Sequence, residues 1–325
     1  MVNNTYPRLL GDIGGTNARF ALQAHPAAEP SQVATLACAQ FPGLEEAIEH
    51  YYLQEQVPAA ARPRWAAIGI ANPVVGDHVR MTNHHWSFSI EALRQRFGWE
   101  RFTVINDFTA LALSLPALAA ADLHQVGGGA AVAGAAVGLI GPGTGLGVSG
   151  LLWPAEGGRP VPINGEGGHV TLAPIDDAES AVLAVLRRRF GHVSAERAVS
   201  GPGLVNVYQA LCEIGGVATL DLDASGVSSR ALAGSDATCQ QALDMFCSFL
   251  GNLAGNLAVT LGTRGGVYIG GGIVPRLGSA FAASPFRQRF EAKGRFQAYL
   301  EPIPVFVIQA NLSPALLGAA RALQD

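Results

Sequence analysis

Two glycine-rich segments, GDIGGTN at 11–17 and GPGTGLG at 141–147, have the composition of turns that bind phosphate. Glycine lets backbone N–H groups approach phosphate oxygens without a Cβ in the way, and the hydroxyls of Thr16 and Thr144 can add hydrogen bonds. The chain has no GxxxxGK[ST] motif and its only lysine is Lys293, so a P-loop is excluded. Each segment alone is also typical of an ordinary tight hairpin. Two in register, each with a threonine, indicate a nucleotide clamp.

Two carboxylates stand where they can assist phosphate chemistry. Asp12 beside the first turn cannot bind phosphate directly, because like charges repel, but it can position Mg²⁺ through the waters of that ion. Asn106 and Asp107 end the strand FTVIND directly before an apolar helix, where a carboxylate can face a bound ligand. The same place is typical of a helix N-cap. The residues alone leave the catalytic and the capping interpretations of Asp107 open.

A third polar set is weaker evidence for chemistry. Glu166 and His169 lie in GEGGH, on a glycine-rich loop, and their spacing is half of a metal site with no second half nearby. Glu196 in SAERA has the pattern of a solvated helix charge. The cysteines show no ligand spacing and are expected to be reduced thiols in the cytosol; they are Cys38, Cys212, Cys239 and Cys247.

The elements that must position these residues alternate between strands and helices, which indicates the α/β class. Residues 8–22 and 137–153 each form an apolar strand, a glycine turn and a second apolar strand, about 130 residues apart. This repetition predicts an internally duplicated fold with one hairpin in each lobe. The strand GVYIGGGI leads into PRL, whose proline suits a first helical turn.

Helix signals connect the predicted strands. Ser89 is placed to cap a helix that stops at Gly98, and a helix that starts at Asp176 and Asp177 ends at Gly191. Further helices are expected at Leu44–Gln56, Asp236–Leu261 and 313–323. The segment Ile214–Arg230 is expected to be a variable surface loop.

Composition narrows the function classes. The 325 residues are 49% hydrophobic and 14% charged, with a net charge of −4, so we expect a compact protein with two lobes and no nucleic-acid partner. The start lacks the pattern of a signal peptide. The nearly uncharged stretch from Leu123 to Ala155 is rich in Gly and Ala and broken by Pro142, which favours buried strands over a membrane span. We expect no membrane partner.

Seven motifs in order carry a resemblance along essentially the whole chain: LLGDIGGTNARFAL, MTNHHWSFS, VINDFTALALSLP, GPGTGLGVSGLL, GEGGHVTLAP, GHVSAERAVSGPGLVNVY and GGGIVPR. The chain resembles bacterial glucokinases, which belong to the actin-like sugar kinase and Hsp70 ATPase group. The resemblance implies a two-lobed actin-like ATPase (ribonuclease H-like) α/β fold, duplicated, with a ligand cleft between a smaller and a larger lobe. The expected lobes are 1–117 with 308–325, and 118–307.

The resemblance also implies roles for individual residues. Asp107 would be the base that takes the proton of the sugar's 6-hydroxyl, and Asn106 would hold a neighbouring hydroxyl. Glu166, His169 and Glu196 would bind further hydroxyls of D-glucose, the first two around C1 and C2. Asn83 and Trp86, in the MTNHHW segment, would belong to the sugar lobe.

ATP and Mg²⁺ are the implied cofactors. Asp12 would hold Mg²⁺ through water. The resemblance places the nucleotide on three glycine-rich segments, the third of which would receive adenosine: Gly11, Asp12, Ile13, Gly14, Gly15 and Thr16; Gly143, Thr144 and Gly145; Gly270, Gly271 and Gly272.

The expected activity is that of a cytoplasmic, homodimeric glucokinase that transfers the γ-phosphate of ATP to the 6-hydroxyl of D-glucose. A sugar-responsive regulator on the same fold is the alternative from another class. The first strand begins by about residue 8, which leaves no space for a DNA-binding module, and no cysteine-rich zinc motif follows His169. A kinase for fructose or mannose, and a phosphoryl donor other than ATP, stay open.

Overall fold

The computed structural model describes residues 5–82, 84–310 and 313–324. These residues divide into two compact units. The small unit takes the described residues up to Ala119 and those from Ala310 onward, and the large unit takes Ala120–Gln309. The expected lobe boundaries at 117/118 and 307/308 stay a prediction.

The sheet of the small unit combines a hairpin with a parallel layer. Its five strands have the order β3-β2-β1-β4-β7, with β1, β2 and β3 antiparallel and β1, β4 and β7 parallel. A separate antiparallel pair joins β5 and β6. The strands are β1 Arg8–Ile13, β2 Asn17–Gln23, β3 Ser31–Ala37, β4 Trp65–Ile70, β5 His78–Arg80, β6 Ser87–Ser89 and β7 Arg101–Asn106.

The sheet of the large unit repeats this topology. Its order is β11-β10-β9-β12-β13-β8, in which the first three strands are antiparallel and β9, β12 and β13 are parallel. The strands are β8 Leu123–Val126, β9 Val137–Pro142, β10 Leu146–Leu152, β11 Val161–Pro162, β12 Val267–Ile269 and β13 Val305–Ile308. The added edge strand β8 is antiparallel to β13. The predicted duplication, with one glycine-turn hairpin in each half, is confirmed.

Helices cover both faces of the sheet in the small unit: α1 Leu44–Gln54, α2 Ile90–Phe97, α3 Asp107–Ser114 and α12 Pro314–Ala322. Side chains alternate along β1, so Leu9 joins a core with Tyr51 of α1 while Leu10 joins one with Leu316 of α12. The Ser89 hydroxyl accepts a 3.0 Å hydrogen bond from the backbone N–H of Ala92, which confirms the predicted cap of α2.

The large unit holds eight helices among the described residues: α4 Asp177–Phe190, α5 Gly201–Gly215, α6 Ala224–Leu232, α7 Ala237–Leu261, α8 Ile273–Leu277, α9 Ser279–Ala283, α10 Phe286–Glu291 and α11 Gln297–Leu300. Asp176 and Asp236 cap α4 and α7. By length and composition alone α7 could cross a membrane, but 67% of its apolar window is buried. It packs against α5, α6 and α10, which accounts for its apolar character.

The expectation that Ile214–Arg230 is a surface loop is wrong for its second half. Asp223 accepts a 2.7 Å hydrogen bond from the N–H of Gly226 and so caps α6, and Val227 is buried in the core. Helix α5, which the sequence analysis did not predict, begins behind a Ser200 cap whose hydroxyl accepts from the Gly203 N–H at 2.9 Å.

Candidate functional site

The first glycine turn joins β1 to β2 and leaves two backbone donors open. The Gly14 N–H closes the turn on the carbonyl of Asn17 at 2.9 Å, whereas, within the described part of the chain, the N–H groups of Gly15 and Thr16 have no partner. Cys38 holds the turn through two hydrogen bonds. Its N–H donates to the Thr16 carbonyl at 2.9 Å, and its thiol donates to the Gly14 carbonyl at 3.5 Å. Burial raises the pKa of the Cys38 thiol, so the thiol keeps the proton that it donates.

The second glycine turn, between β9 and β10, has the same arrangement. The Gly143 N–H donates to the Gly145 carbonyl at 2.8 Å, and the N–H groups of Thr144 and Gly145 have no partner among the residues the structure describes. The Thr144 side chain is exposed, as is that of Thr16. Each turn therefore offers two unpaired backbone donors and one hydroxyl, which is the donor set that phosphate oxygens require.

Two of the residues predicted around the first turn are buried in β1 instead of lining its surface. Ile13 is fully buried in the core, and Gly11 faces Ile68 of β4, where any Cβ would collide. Between them, Asp12 points the other way. Its Oδ2 accepts from the Ser313 hydroxyl at 2.7 Å and from Arg19 Nη1 at 3.3 Å. Gly11 and Ile13 thus position Asp12 from within the sheet.

Asn106 and Asp107 stand at the carboxyl end of β7, as predicted, but the cap of α3 is Asn106. Its Oδ1 accepts from the N–H groups of Phe108 at 2.9 Å and Thr109 at 3.2 Å. Asp107 is the first residue of the helix, half-buried, and its Oδ1 also accepts from the Phe108 N–H at 2.9 Å. The Asn106 amide nitrogen also donates to the Asn72 carbonyl at 3.5 Å. Because its carbonyl oxygen already accepts two hydrogen bonds, Asn106 can offer a ligand only the other hydrogen of its amide nitrogen.

Glu166 precedes the 3₁₀ turn Gly167–His169, and His169 is its last residue. Both side chains are exposed. The glycines between them serve close packing more than flexibility. A Cβ on Gly167 would stand 2.7 Å from Cβ of Val148, and one on Gly168 would collide with the carbonyl oxygen of Leu146. The turn is therefore held directly against β10, beside the second glycine turn.

Glu196 is not the solvated helix charge that its sequence pattern suggests. It lies in the 3₁₀ turn Ala195–Arg197, and its Oε2 accepts a 2.8 Å hydrogen bond from the N–H of Leu146. A Cβ on Gly145 would collide with that same oxygen. The carboxylate is thus hydrogen-bonded to Leu146, the residue that follows Gly145 of the second glycine turn.

The third glycine segment adjoins the same turn. The Gly270 N–H donates to the Ile140 carbonyl at 2.9 Å, and Gly271, at φ +78°, lies so close to the Pro142 carbonyl that no Cβ fits. Gly272 is exposed and precedes the short helix α8. Within the large unit, the segment proposed for adenosine therefore borders the segment proposed for phosphate.

Helix α5 adds a feature that the sequence analysis missed. The N–H of Gly201, its first residue, donates to the Gly143 carbonyl at 2.8 Å, so the positive end of the helix lies against the second turn. The Ser200 hydroxyl also donates to the Glu196 carbonyl at 2.8 Å. Serine followed by GPG, with proline at the second helical position, was the signal that could have revealed this helix start.

The described residues of the MTNHHW segment lie within the small unit, and Thr82 is linked through Asn72 to Asn106, whose amide nitrogen donates to the Asn72 carbonyl. The Asn72 side-chain oxygen accepts from both the N–H (3.0 Å) and the hydroxyl (2.7 Å) of Thr82. Trp86 is buried and donates to the Phe41 carbonyl at 3.1 Å, so it supports the segment from the core. Burial, followed by the neighbouring His85, lowers the pKa of His84. Asn83 lies outside the described residues.

Among the described residues, no group of three or more His, Cys, Asp or Glu side chains forms a metal cage. Asp12 nevertheless fits Mg²⁺ held through water. Both donors to its carboxylate meet Oδ2, and Oδ1 has no protein partner within the described chain. Mg²⁺ keeps several waters and is usually bound by one or two carboxylates together with substrate phosphates.

The sequence and the fold of the chain are similar to those of known glucokinases. A protein-family model described as glucokinase matches residues 9–325. The chain is 57% identical to a glucokinase of Aromatoleum aromaticum, over 99% of its own length and 96% of the relative's. The crystal structure of a glucokinase from an Antarctic psychrotroph has a TM-score of 0.87 at 36% identity and covers 98% of both chains. A ROK family glucokinase from Streptomyces griseus, in complex with glucose and AMPPNP, shares the fold with a TM-score of 0.62 at 19% identity.

Proposed function

The chain belongs to the glucokinase family, and from this premise we propose how its own residues transfer the γ-phosphate of ATP to the 6-hydroxyl of D-glucose, giving glucose 6-phosphate and ADP. The observation that carries the proposal is the 2.8 Å hydrogen bond from the Leu146 N–H to Glu196 Oε2. It joins the carboxylate that we assign to the sugar to the residue that follows the second glycine turn. A sugar hydroxyl bound to Glu196 would therefore lie beside Leu146, the residue next to Gly145, whose N–H we assign to the triphosphate.

The two glycine turns hold the triphosphate in this proposal. Gly15 and Thr16 in the small unit, and Thr144 and Gly145 in the large unit, supply the unpaired N–H groups. The N-terminus of α5 adds positive potential at the second turn. Phosphoryl transfer depends mostly on positioning and charge stabilisation, and rigid backbone donors supply both without reorganisation during the reaction.

The sugar is held by side chains that differ in what they can offer. Glu166 and Glu196 accept hydrogen bonds from hydroxyls, His169 can accept or donate, and Asn106 donates through its amide nitrogen. Because both Glu166 and His169 are exposed, they are accessible to a ligand without any rearrangement of the core. The close packing of their turn on β10 fixes the direction from which they approach it.

Asp107 acts as the general base. Its carboxylate takes the proton of the glucose 6-hydroxyl as that oxygen attacks the γ-phosphorus, and the bond to the bridging oxygen breaks to release ADP. The first turn of α3 favours a negative carboxylate at this position. Asn106 precedes Asp107 and caps α3, so it fixes the position of Asp107 as the first residue of the helix.

Asp12 would hold Mg²⁺ through water, with the hydroxyl of Ser313 and the guanidinium of Arg19 fixing the carboxylate. When bound, the ion neutralises charge on the triphosphate. The glycine-rich segment 270–272 would receive the adenosine, because its exposed backbone borders Pro142 at the start of the second turn.

We also propose that the protein is a cytoplasmic homodimer whose lobes are 1–117 with 308–325 and 118–307. Its four cysteines are free and buried, which fits a reducing compartment. The homodimer rests on the resemblance, and sedimentation equilibrium of the purified protein would test it.

A kinetic panel tests the proposed function. Glucose, mannose and fructose are compared as acceptors by kcat/KM, with ATP, ADP and polyphosphate as donors for each. We expect glucose with ATP to have the highest kcat/KM. An equal kcat/KM for fructose would contradict the assigned substrate, and equal rates with polyphosphate would contradict the assigned donor.

A further inference from the structure

Ser313 makes a contact with Asp12 that the sequence around the first turn does not predict. Its hydroxyl donates to Asp12 Oδ2 at 2.7 Å, across a sequence separation of 301 residues. The other donor to that oxygen, Arg19 Nη1, is farther away at 3.3 Å and its side chain is 41% exposed, whereas that of Asp12 is 14% exposed. Of the two hydrogen bonds that hold this carboxylate, the one from Ser313 is thus the shorter.

The helix that follows Ser313 is itself fixed to the element carrying the base. In α12, Gly318 lies so close to the carbonyl oxygen of Ala110 that no Cβ fits between α12 and α3. The strand β4 also approaches α3 closely, since a Cβ on Gly69 would stand 3.0 Å from the Cβ of Ala110 and 3.5 Å from the Cα of Asp107. Within the small unit, α12 therefore contacts Asp12 at its start and the Asp107 helix at its middle.

We propose that Ser313 is a positioning residue that directs Asp12 toward Mg²⁺, an inference that rests on the proposed function. With Ser313 in place, Oδ2 is fixed by two donors and Oδ1 is presented to the waters of the ion. Without the hydroxyl, Arg19 is the remaining donor. The fork of its guanidinium favours a bidentate pair with both carboxylate oxygens, which would turn Oδ1 away from the metal.

The test separates metal binding from nucleotide binding without turnover. Mn²⁺ replaces Mg²⁺, and its binding to the complex of protein and ADP is measured by electron paramagnetic resonance. Ser313→Ala should raise the Mn²⁺ dissociation constant roughly 3- to 10-fold, since a hydrogen bond to a charged group is stronger than a neutral one. ADP affinity in EDTA should stay unchanged. Ser313→Thr, which keeps the hydroxyl, should restore metal binding.

Matched variants decide between the outcomes. Ser235→Ala removes an exposed hydroxyl that donates to the Arg230 carbonyl in the large unit, and it should bind Mn²⁺ like the wild type. Equal losses of metal and of metal-free ADP in Ser313→Ala would mark a structural role and overturn the proposal. So would wild-type metal binding. Should Ser313→Ala not fold, Ser313→Cys replaces it, and wild-type metal affinity with that weaker donor would equally overturn the proposal.

A further variant distinguishes this inference from the proposed function. Asp12→Asn should weaken Mn²⁺ binding more than Ser313→Ala does, because it removes the charge itself. Unchanged metal binding in Asp12→Asn would refute the assigned Mg²⁺ position and with it the inference. A loss in Asp12→Asn alone would refute only the role of Ser313.

Discussion

Replacing Asp107 by asparagine removes the proposed base and keeps the size of the side chain. The substituted amide keeps an oxygen that can accept the 2.9 Å hydrogen bond from the Phe108 N–H. Asn106 continues to cap α3, because its contacts to Phe108 and Thr109 do not involve the neighbouring side chain. The attraction between the carboxylate and the helix N-terminus contributes about 0.3–1 kcal/mol to the structural cost.

The kinetic cost should be several times larger. Loss of a general base lowers kcat by about 10²–10⁴. At about 1.36 kcal/mol for each factor of ten, this loss amounts to roughly 3–5 kcal/mol of transition-state stabilisation. Asp107→Asn should thus unfold in urea almost as the wild type does, yet release glucose 6-phosphate at least about a hundred times more slowly in a coupled assay. Glucose binding, measured by calorimetry, should change by less than kcat.

A matched control separates helix stability from catalysis. Asp177 is also the first residue of a helix, α4, and is exposed, so Asp177→Asn removes the same attraction to the helix N-terminus. We expect a similar small loss of stability and unchanged kinetics in that variant. Turnover near the wild-type rate in Asp107→Asn would refute the assignment of the base.

Three further substitutions test other contacts. Gly145→Ala places a methyl group against Glu196 Oε2, and kcat/KM should fall about 10- to 100-fold for both glucose and ATP in coupled kinetics. Burial lowers the pKa of Lys293 from 10.5 to about 8. The unfolded chain therefore binds more protons between these pH values, so the wild-type free energy of unfolding should rise with pH across that window relative to Lys293→Met. Gly318→Ala forces a Cβ against the Ala110 carbonyl and should lower the urea-measured free energy of unfolding by about 1–3 kcal/mol.

Each of these predictions has its own control or contrary result. Gly128→Ala adds a methyl group where nothing lies within 4 Å, and its kinetics should match the wild type. Gly215→Ala, near the end of α5, meets only Val217 at 4.0 Å and should gain helix stability where Gly318→Ala loses it. Parallel stability curves for the wild type and Lys293→Met between pH 8 and pH 10 would contradict the burial effect.

The parts of the fold that follow from local signals were predictable from the sequence. The Ser89 cap, the helices that start near Asp176 and Asp236 and both glycine-turn hairpins were predicted and are confirmed, because each depends on residues within a few positions of one another. The repeated hairpin predicted the duplication, but the order of the parallel strands in the two sheets was not predicted. Helix α6 was missed because Ser, Gly and Ala dominate it, and what stabilises it is the burial of Val227 against the rest of the large unit.

The parts of the site that depend on distant contacts could not be read from the sequence. Glu196 has an ordinary charged context, and only its hydrogen bond to Leu146 relates it to the second turn. Ser313 reaches Asp12 across nearly the whole chain. Asp107 showed the opposite difficulty, since its local context supported both a cap and a catalytic residue. The structure shows that the cap is Asn106, and the ligand role proposed for Asn106 is confined to its amide nitrogen.

The two halves of the duplicated fold differ at one position that bears on the chemistry. Asp12 lies two residues before the Gly14 that closes the first turn, and Gly141 lies two residues before Gly143 in the second. The Glu196 carboxylate already lies against the second turn, because its Oε2 accepts from the Leu146 N–H. A carboxylate at position 141 would add further negative charge beside phosphate oxygens and weaken their binding by repulsion. A single carboxylate is enough to orient an ion that keeps its waters. The duplication therefore supplies two similar sets of backbone donors, and the difference at this position supports our proposal of a Mg²⁺ site at the first turn.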